Sequence, residues 1–272
     1  VSIALYQAYA PFYDSSGQIR FAMLMDQYLR ELLGRHPAPG RRALDMACGT
    51  GTLALLLADD GWEVVGLDAS AEMLEQARAK AANLDTPGRA TFVQGDMREP
   101  RIENEELTMK KDASASLSSF SILHSQFDLV TCFYDSLNYM LTDADLAACF
   151  QTAARALAPG GLLVADMNTR YFLEHDWGSC EVIEQTDFVQ ISQSYFDPAS
   201  DCSTMVLTGF TGDDERGYHR FDETHVERAY APEQVAALLE AAGLRVEAAY
   251  DCFTFQPIAE RTQRIAWVAR KS

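Results

Sequence analysis

RALDMACGTG, residues 42–51, decides how the chain is read. Ala43, Leu44, Met46 and Ala47 have the apolar density of a buried strand, and the run ends in a turn carrying Gly49 and Gly51. TLALLLADDG, residues 52–61, then reads as a helix. Asp45 sits inside the strand, four residues before Gly49, where an apolar residue is the default. A glycine turn of this kind lets backbone approach a ligand closely, because no Cβ intervenes. The free amides that open the next helix can meet polar ligand groups.

The glycine spacing alone leaves alternatives open. Gly49-Thr50-Gly51-Thr52-Leu53-Ala54 fits the G-x-G-x-x-G/A pattern of dinucleotide folds, and Asp68 falls within reach of a ribose-binding acid. A nicotinamide-dependent oxidoreductase is therefore one reading, although no catalytic Tyr-x-x-x-Lys pair accompanies the loop. Asp45 argues for another. A carboxylate under the loop opposes a pyrophosphate and suits a ligand that carries ammonium and sulfonium charge.

Four further segments follow in order: VVGLDAS (64–70), FVQGDMREP (92–100), FDLVTCFYDSLNYM (127–140) and LAPGGLLVADMN (157–168). With LDMACGTG (44–51), this succession resembles the motifs of class I S-adenosylmethionine-dependent methyltransferases over roughly residues 41–170. The resemblance implies a doubly wound, Rossmann-like α/β fold with a mostly parallel seven-stranded sheet, and S-adenosyl-L-methionine as cofactor. It implies that Asp45, Ala47, Gly49 and Gly51 bind the cofactor at the first strand and its loop. Asp68 then takes the ribose hydroxyls, Met73 lies near the adenine, and Asp96 and Met97 flank the adenine edge. The carbonyl near Phe133 receives the methionine ammonium, and Tyr13 joins the set from the N-terminus. The turn Tyr134-Asp135-Ser136-Leu137-Asn138-Tyr139 resembles that of bacterial small-molecule methyltransferases, with glycine/sarcosine and aminosugar N-methyltransferases as the nearest analogies. Tyr134 is then expected at the chemistry and Asn138 at the acceptor. The remaining alternative is a protein that binds the cofactor without turnover.

Strand and helix alternate through this region, which argues for a mostly parallel sheet covered on both faces. Ser70 with Glu72, and Thr142 with Asp145, read as helix starts, and Pro232 opens a helix that Gly243 closes. LRVEAAYDCF (244–253) and RIAWVARK (264–271) read as two last strands, which the resemblance makes an antiparallel edge pair. The core is thus expected to comprise 41–177 and 231–272. Residues 1–40 hold Tyr6, Ala10, Tyr13 and Asp14 in a Y-x-x-x-A-x-x-Y-D pattern, which resembles the helical cofactor cover of small-molecule N-methyltransferases. Half of residues 114–125 is serine, so 101–125 reads as a flexible surface insertion. Residues 178–230 alternate as short antiparallel strands, expected as an inserted β lid over the substrate. Within it His225 is a substrate ligand or general base, or else a solvated strand residue, and Arg228 is a candidate acceptor contact. Three residues apart on a regular strand, those two point to opposite faces.

The formal net charge is −18 over 272 residues, a field that repels nucleic acid and anionic membranes. The Asn/Asp-Pro-Pro-aromatic turn of nucleic-acid methylating relatives is absent, its place being Phe133-Tyr134-Asp135-Ser136. Six cysteines without a C-x-x-C pair suit a reducing compartment, and the five histidines show no metal-binding spacing. No apolar run has the length of a membrane span, and the chain starts at Val1, as expected for a processed or trimmed start. The expected protein is cytoplasmic, metal-free and active on a small-molecule amine or hydroxyl.

Overall fold

The first strand, β1 (Arg42–Met46), lies inside the seven-stranded sheet, between β2 (Glu63–Asp68) on one side and β4 (Phe127–Cys132) on the other. The computed structural model describes residues 5–99, 126–177, 180–213, 215 and 217–272; the insertion expected at 101–125 lies outside the described residues. The chain runs outward from β1 through β2 to β3 (Arg89–Gln94), all parallel, then returns to pair β4 with the opposite edge of β1. That reversal is the topological switch point, where a crevice opens beyond the carboxyl ends of the strands. β5 (Leu157–Asn168) continues in parallel, followed by the antiparallel β11 (Arg264–Lys271) and β10 (Leu244–Asp251) at the edge.

Apolar residues on both faces of these strands explain their near-continuous hydrophobic runs. Ala43, Leu129, Leu162 and Val164 pack with Met25, Leu29 and Leu32 of α2 (Ile19–Arg35) and with Leu57 of α3 (Thr52–Asp59). Their neighbours Leu44, Val130, Leu163 and Ala165 pack on the opposite side. There they meet Leu146 and Phe150 of α5 (Asp143–Ala156), and Val235 and Leu239 of α7 (Pro232–Ala241). The expected caps are present. Ser70 Oγ accepts from Met73 N at 3.1 Å to start α4 (Ala71–Ala81), and Thr142 Oγ1 accepts from Asp145 N at 3.1 Å to start α5. Each such cap contributes about 1 kcal/mol. α5 ends at Ala156, ahead of Pro159, because proline pushes the residues before it into extended backbone.

After the short α6 (Arg170–His175), a second sheet of four antiparallel strands interrupts the core: β6 (Glu181–Glu184), β7 (Phe188–Asp197), β8 (Cys202–Asp213) and β9 (Gly217–Arg228). The last three are longer than the short strands read from alternation. At the N-terminus, α1 (Ala10–Tyr13) and a π-helical turn (Asp14–Gln18) precede α2, with a kink at Gly17, whose φ is +104°. Α2 is itself a core layer, since Met25 and Leu29 are fully buried, so only the stretch ahead of it is free to cover the crevice.

Candidate active site

Backbone strain marks both sides of the switch point. Ala47 (φ +55°), Gly49 (+55°) and Gly51 (+74°) follow β1, while Tyr134 (+60°) and Asp135 (+55°) follow β4. Non-glycine residues in this region cost free energy, and such strain clusters where a fold holds a ligand. A Cβ on Gly49 would meet nothing within 4 Å, since that position opens into a cavity of about 650 Å³. Gly51 does not line the cavity; it caps α3, and a Cβ there would lie 2.6 Å from the Phe92 ring.

Of the residues expected at the cofactor, Tyr13, Asp45, Ala47, Gly49, Asp68, Met73, Asp96, Met97 and Phe133 line this one cavity. Asp45 is buried, and Thr131, opposite it in the β1–β4 register, donates its hydroxyl at 2.7 Å. Burial, reinforced by the nearby Asp68 charge, pushes the Asp45 carboxyl up to about 7 despite that hydrogen bond. Asp68 accepts from Gly49 N at 2.7 Å and Ser70 N at 2.9 Å, so it shapes the glycine turn itself. Its carboxyl is raised by burial, a shift that the backbone donors oppose. Asp96 is more open and paired with Arg98 at 2.6 Å, whose hydrogen bonds hold it below the usual carboxylate range. The Phe133 carbonyl accepts from Ser136 Oγ at 2.9 Å and keeps a second lone pair.

The cavity lining is also rich in aromatic rings, those of Tyr6, Tyr13, Phe21, Tyr134 and Tyr139. Tyr134 stacks on Phe21 with centroids 4.2 Å apart, donates to Gln18 Oε1, and lies beside the Arg264 guanidinium. Arg264 is held in turn by Asp166 and Asp135, and burial lifts Asp166 to about 6 against the pull of that cation. Burial also raises the phenols of Tyr6, Tyr13 and Tyr139 well above their ordinary value, so all three stay protonated.

Besides Gly51, three expected site residues lie outside the cavity lining: His225, Asn138 and Arg228. The Asn138 amide donates to the carbonyls of Asn168 and Arg228 and accepts from Asn168 N, which saturates it as a tie between β5, β9 and the turn after β4. Arg228 turns away toward the start of α5, where it pairs with Asp143 at 2.8 Å; an acid in a first helical turn attracts such a cation. His225 faces inward and is buried, as its opposite orientation from Arg228 requires. It meets Tyr139 Oη at 2.9 Å through Nδ1 rather than the cavity directly.

No residue of the four-stranded sheet lines the cavity. The sheet instead backs the N-terminal stretch, since Glu223 accepts from the backbone of Tyr6 at 2.9 Å and of Tyr9 at 3.3 Å. A second tie went unread in the sequence. Lys80 Nζ donates to Asp14 at 2.6 Å, to Thr52 at 2.8 Å and to Thr50 at 3.1 Å, and Thr50 donates to Asp14 at 2.7 Å. The only sequence signal for it was Asp14 in the Y-D pattern, because Lys80 reads as an ordinary base in a helical last turn.

Strand order and switch point are those of the class I S-adenosylmethionine-dependent methyltransferases. Residues 37–198 match a family model described as a methyltransferase domain, and the chain belongs to that family. Its match to the candidate methyltransferase YqeM of Bacillus subtilis is 28% identical over 268 residues, 98% of each chain. A dTDP-3-amino-3,4,6-trideoxy-α-D-glucopyranose N,N-dimethyltransferase of Streptomyces venezuelae is 26% identical over 242 residues, covering 88% of this chain and 89% of that one. Among solved structures, a S-adenosylmethionine-dependent methyltransferase from Clostridium acetobutylicum superposes with a TM-score of 0.77 at 25% identity. That match covers 99% of this chain and 100% of that one. Membership in this family removes the oxidoreductase reading of the glycine loop. Among the described residues no helix is long and apolar enough to cross a membrane, and no cluster of His, Cys, Asp and Glu is arranged to hold a metal.

Proposed function

We propose that the chain methylates the amino group of a small molecule, of the amino-sugar class, with S-adenosylmethionine as donor. The observation that carries this reading is one cavity lined both by buried acids and by tyrosines. The acids suit the donor. Asp45 is a buried carboxylate whose one side-chain partner is a neutral hydroxyl, an environment that a cationic ligand relieves. Gly49 leaves room for close backbone approach, Asp68 retains lone pairs for ribose hydroxyls, and Met73 and Met97 offer apolar surface to a base. When bound, the donor supplies an already activated methyl group.

What the protein then contributes is alignment and exclusion of water. The walls of Tyr6, Tyr13, Tyr134 and Tyr139 suit a nucleophile that gains positive charge, with about 0.5–2 kcal/mol from each well-placed ring. Tyr134, fixed by Phe21, Gln18 and Arg264, is a rigid wall for the acceptor. The N-terminal stretch 6–18 covers the cavity, and the four-stranded sheet buttresses that cover. A tyrosine-walled cavity in a chain of net charge −18 favours a small acceptor over a nucleic acid. The relatives named for amino-sugar N,N-dimethylation support nitrogen as the atom methylated.

The test is release of S-adenosylhomocysteine with a panel of amines, hydroxyls and phenols, including dTDP-3-amino-3,6-dideoxy-α-D-glucopyranose. Turnover confined to amines is expected. Turnover confined to hydroxyls or phenols, or none with any acceptor while the donor binds, overturns the reading.

A further inference from the structure

His225 is a buried histidine on β9 that does not line the cavity and meets the rings of Tyr6 and Tyr139 edge-on. Its Nδ1 lies 2.9 Å from Tyr139 Oη, and its Nε2, with no hydrogen bond formed, stands 3.4 Å from Glu223 Oε2. Glu223 is itself buried, and its carboxylate is held by the amides of Tyr6 and Tyr9. Tyr139 is the member that reaches the cavity, and Tyr6 Oη lies 3.0 Å from its hydroxyl.

We propose that Tyr139, His225 and Glu223 form a proton relay that takes the proton from the acceptor's ammonium before methyl transfer. This rests on the amine reading above. An amine at neutral pH arrives as R–NH3⁺ and has no lone pair for in-line attack. In the relay an ammonium N–H bond breaks as an O–H bond forms at Tyr139, while the hydroxyl's original proton moves to Nδ1 of His225. The products are R–NH2, a neutral tyrosine and an imidazolium, so total charge is unchanged. The electron pair left on nitrogen is the one that attacks. Nε2–H of the imidazolium then faces the Glu223 carboxylate, which is already in place.

The valences allow this. A phenol oxygen carries one proton and two lone pairs, enough to donate to His225, accept from Tyr6 and accept from the substrate. Burial keeps Tyr139 protonated, so it passes a proton only by giving up its own. The charged or titratable groups that face the cluster are Glu223 and Glu227 from β9, Asp135 from the turn after β4, and Tyr6 and Tyr13 from the N-terminal stretch. Behind them stands one cation, Arg264, which is paired with Asp135 and Asp166 rather than with the cluster, and Glu223 and Glu227 stay on the imidazolium's side. His225 is thus a positioning residue that acts through Tyr139.

The experiment compares wild type with Tyr139→Phe and Glu223→Gln, using dTDP-3-amino-3,6-dideoxy-α-D-glucopyranose as the amine. Calorimetry with S-adenosylhomocysteine serves as the control for folding and donor binding. Tyr139→Phe should lower kcat at neutral pH on the order of 10²-fold, the scale of general base catalysis. The deficit should shrink as pH rises above the amine's own pKa, with S-adenosylhomocysteine affinity unchanged. A deficit that is the same at every pH, or no deficit, overturns the relay while amine methylation stands. Absence of turnover with any amine overturns both. Independently of turnover, ¹⁵N NMR of the imidazole, assigned with His225→Gln, should show the Nε2–H tautomer, and Glu223→Gln should move the Nε2 resonance. An Nδ1–H tautomer would mean that His225 donates to Tyr139, which excludes proton transfer in the proposed direction.

Discussion

Asp45 and Thr131 stand opposite each other on parallel strands, and the threonine hydroxyl donates to the carboxylate at 2.7 Å. The pairing places an acid on the floor of the switch point with a neutral partner and no cation. Burial in the folded chain therefore pushes the Asp45 carboxyl up to about 7, well above its unfolded value. The sign follows from a raised acid. Its stabilising contribution is complete below the unfolded value and is lost as pH rises through about 7. A cationic donor favours the ionised form and expels that proton. S-adenosylmethionine affinity should rise with pH up to about 7, approaching tenfold per unit at the acid end, and Asp45→Asn should flatten the profile. Calorimetry in two buffers of different ionisation enthalpy measures the proton directly; no proton release with wild type would remove Asp45 from the cation's site.

Asp68 has a double duty that its sequence position did not disclose. It orders the loop through Gly49 N and Ser70 N, and it faces the cavity. Charge-assisted hydrogen bonds to such an acid are each worth about 1.5–3 kcal/mol. Asp68→Ala should weaken S-adenosylmethionine binding by tenfold or more, at about 1.4 kcal/mol per decade, and should also lower the unfolding midpoint. A variant with reduced stability and an unchanged dissociation constant would make the residue a loop brace alone.

The Asp14–Lys80 pair joins the N-terminal cover to α4, with side chains about a quarter exposed. Solvent screening limits such a pair to about 1 kcal/mol. Lys80→Met should leave global stability nearly unchanged while hydrogen exchange of residues 6–18 quickens. Unchanged protection there would mean that the Glu223 contacts alone hold the cover.

Where ligand chemistry dictates residue type, the fold and the cofactor were legible. Asp45 in an apolar strand, Gly49 after it and acids at the following strand ends are residue types that a cationic, ribose-bearing ligand calls for, and these residues line one cavity, while Gly51 does not. Caps at Ser70 and Thr142 were readable because they act within four residues of chain. The polar network was not. Glu223 and His225 alternate with their neighbours as solvated strand residues do, and only the return of Tyr6 and Tyr9 across more than two hundred residues buries them. Asn138 looked like an acceptor contact because its turn resembles one, and Arg228 because it lies on the last strand of the expected lid. Their partners, the Asn168 backbone and Asp143, come from elements whose placement no local pattern carries.

The two loop glycines should separate stability from binding. Gly51→Ala places a Cβ 2.6 Å from Phe92 and 2.8 Å from the Ala77 methyl, at a φ of +74°. Strain and overpacking together should cost about 2–4 kcal/mol, read as a lower urea midpoint with an unchanged slope. Gly49→Ala meets no atom within 4 Å and carries only the penalty of its φ of +55°, about 1–2 kcal/mol. Its methyl, however, projects into the space where a ligand approaches the backbone. It should therefore fold and yet lose S-adenosylmethionine binding by more than tenfold. Gly51→Ala should keep the affinity of whatever fraction remains folded, because its methyl points into the protein between α3 and α4. Equal losses of binding at both positions would mean that the loop's conformation, rather than the open face of Gly49, determines how the cofactor is held.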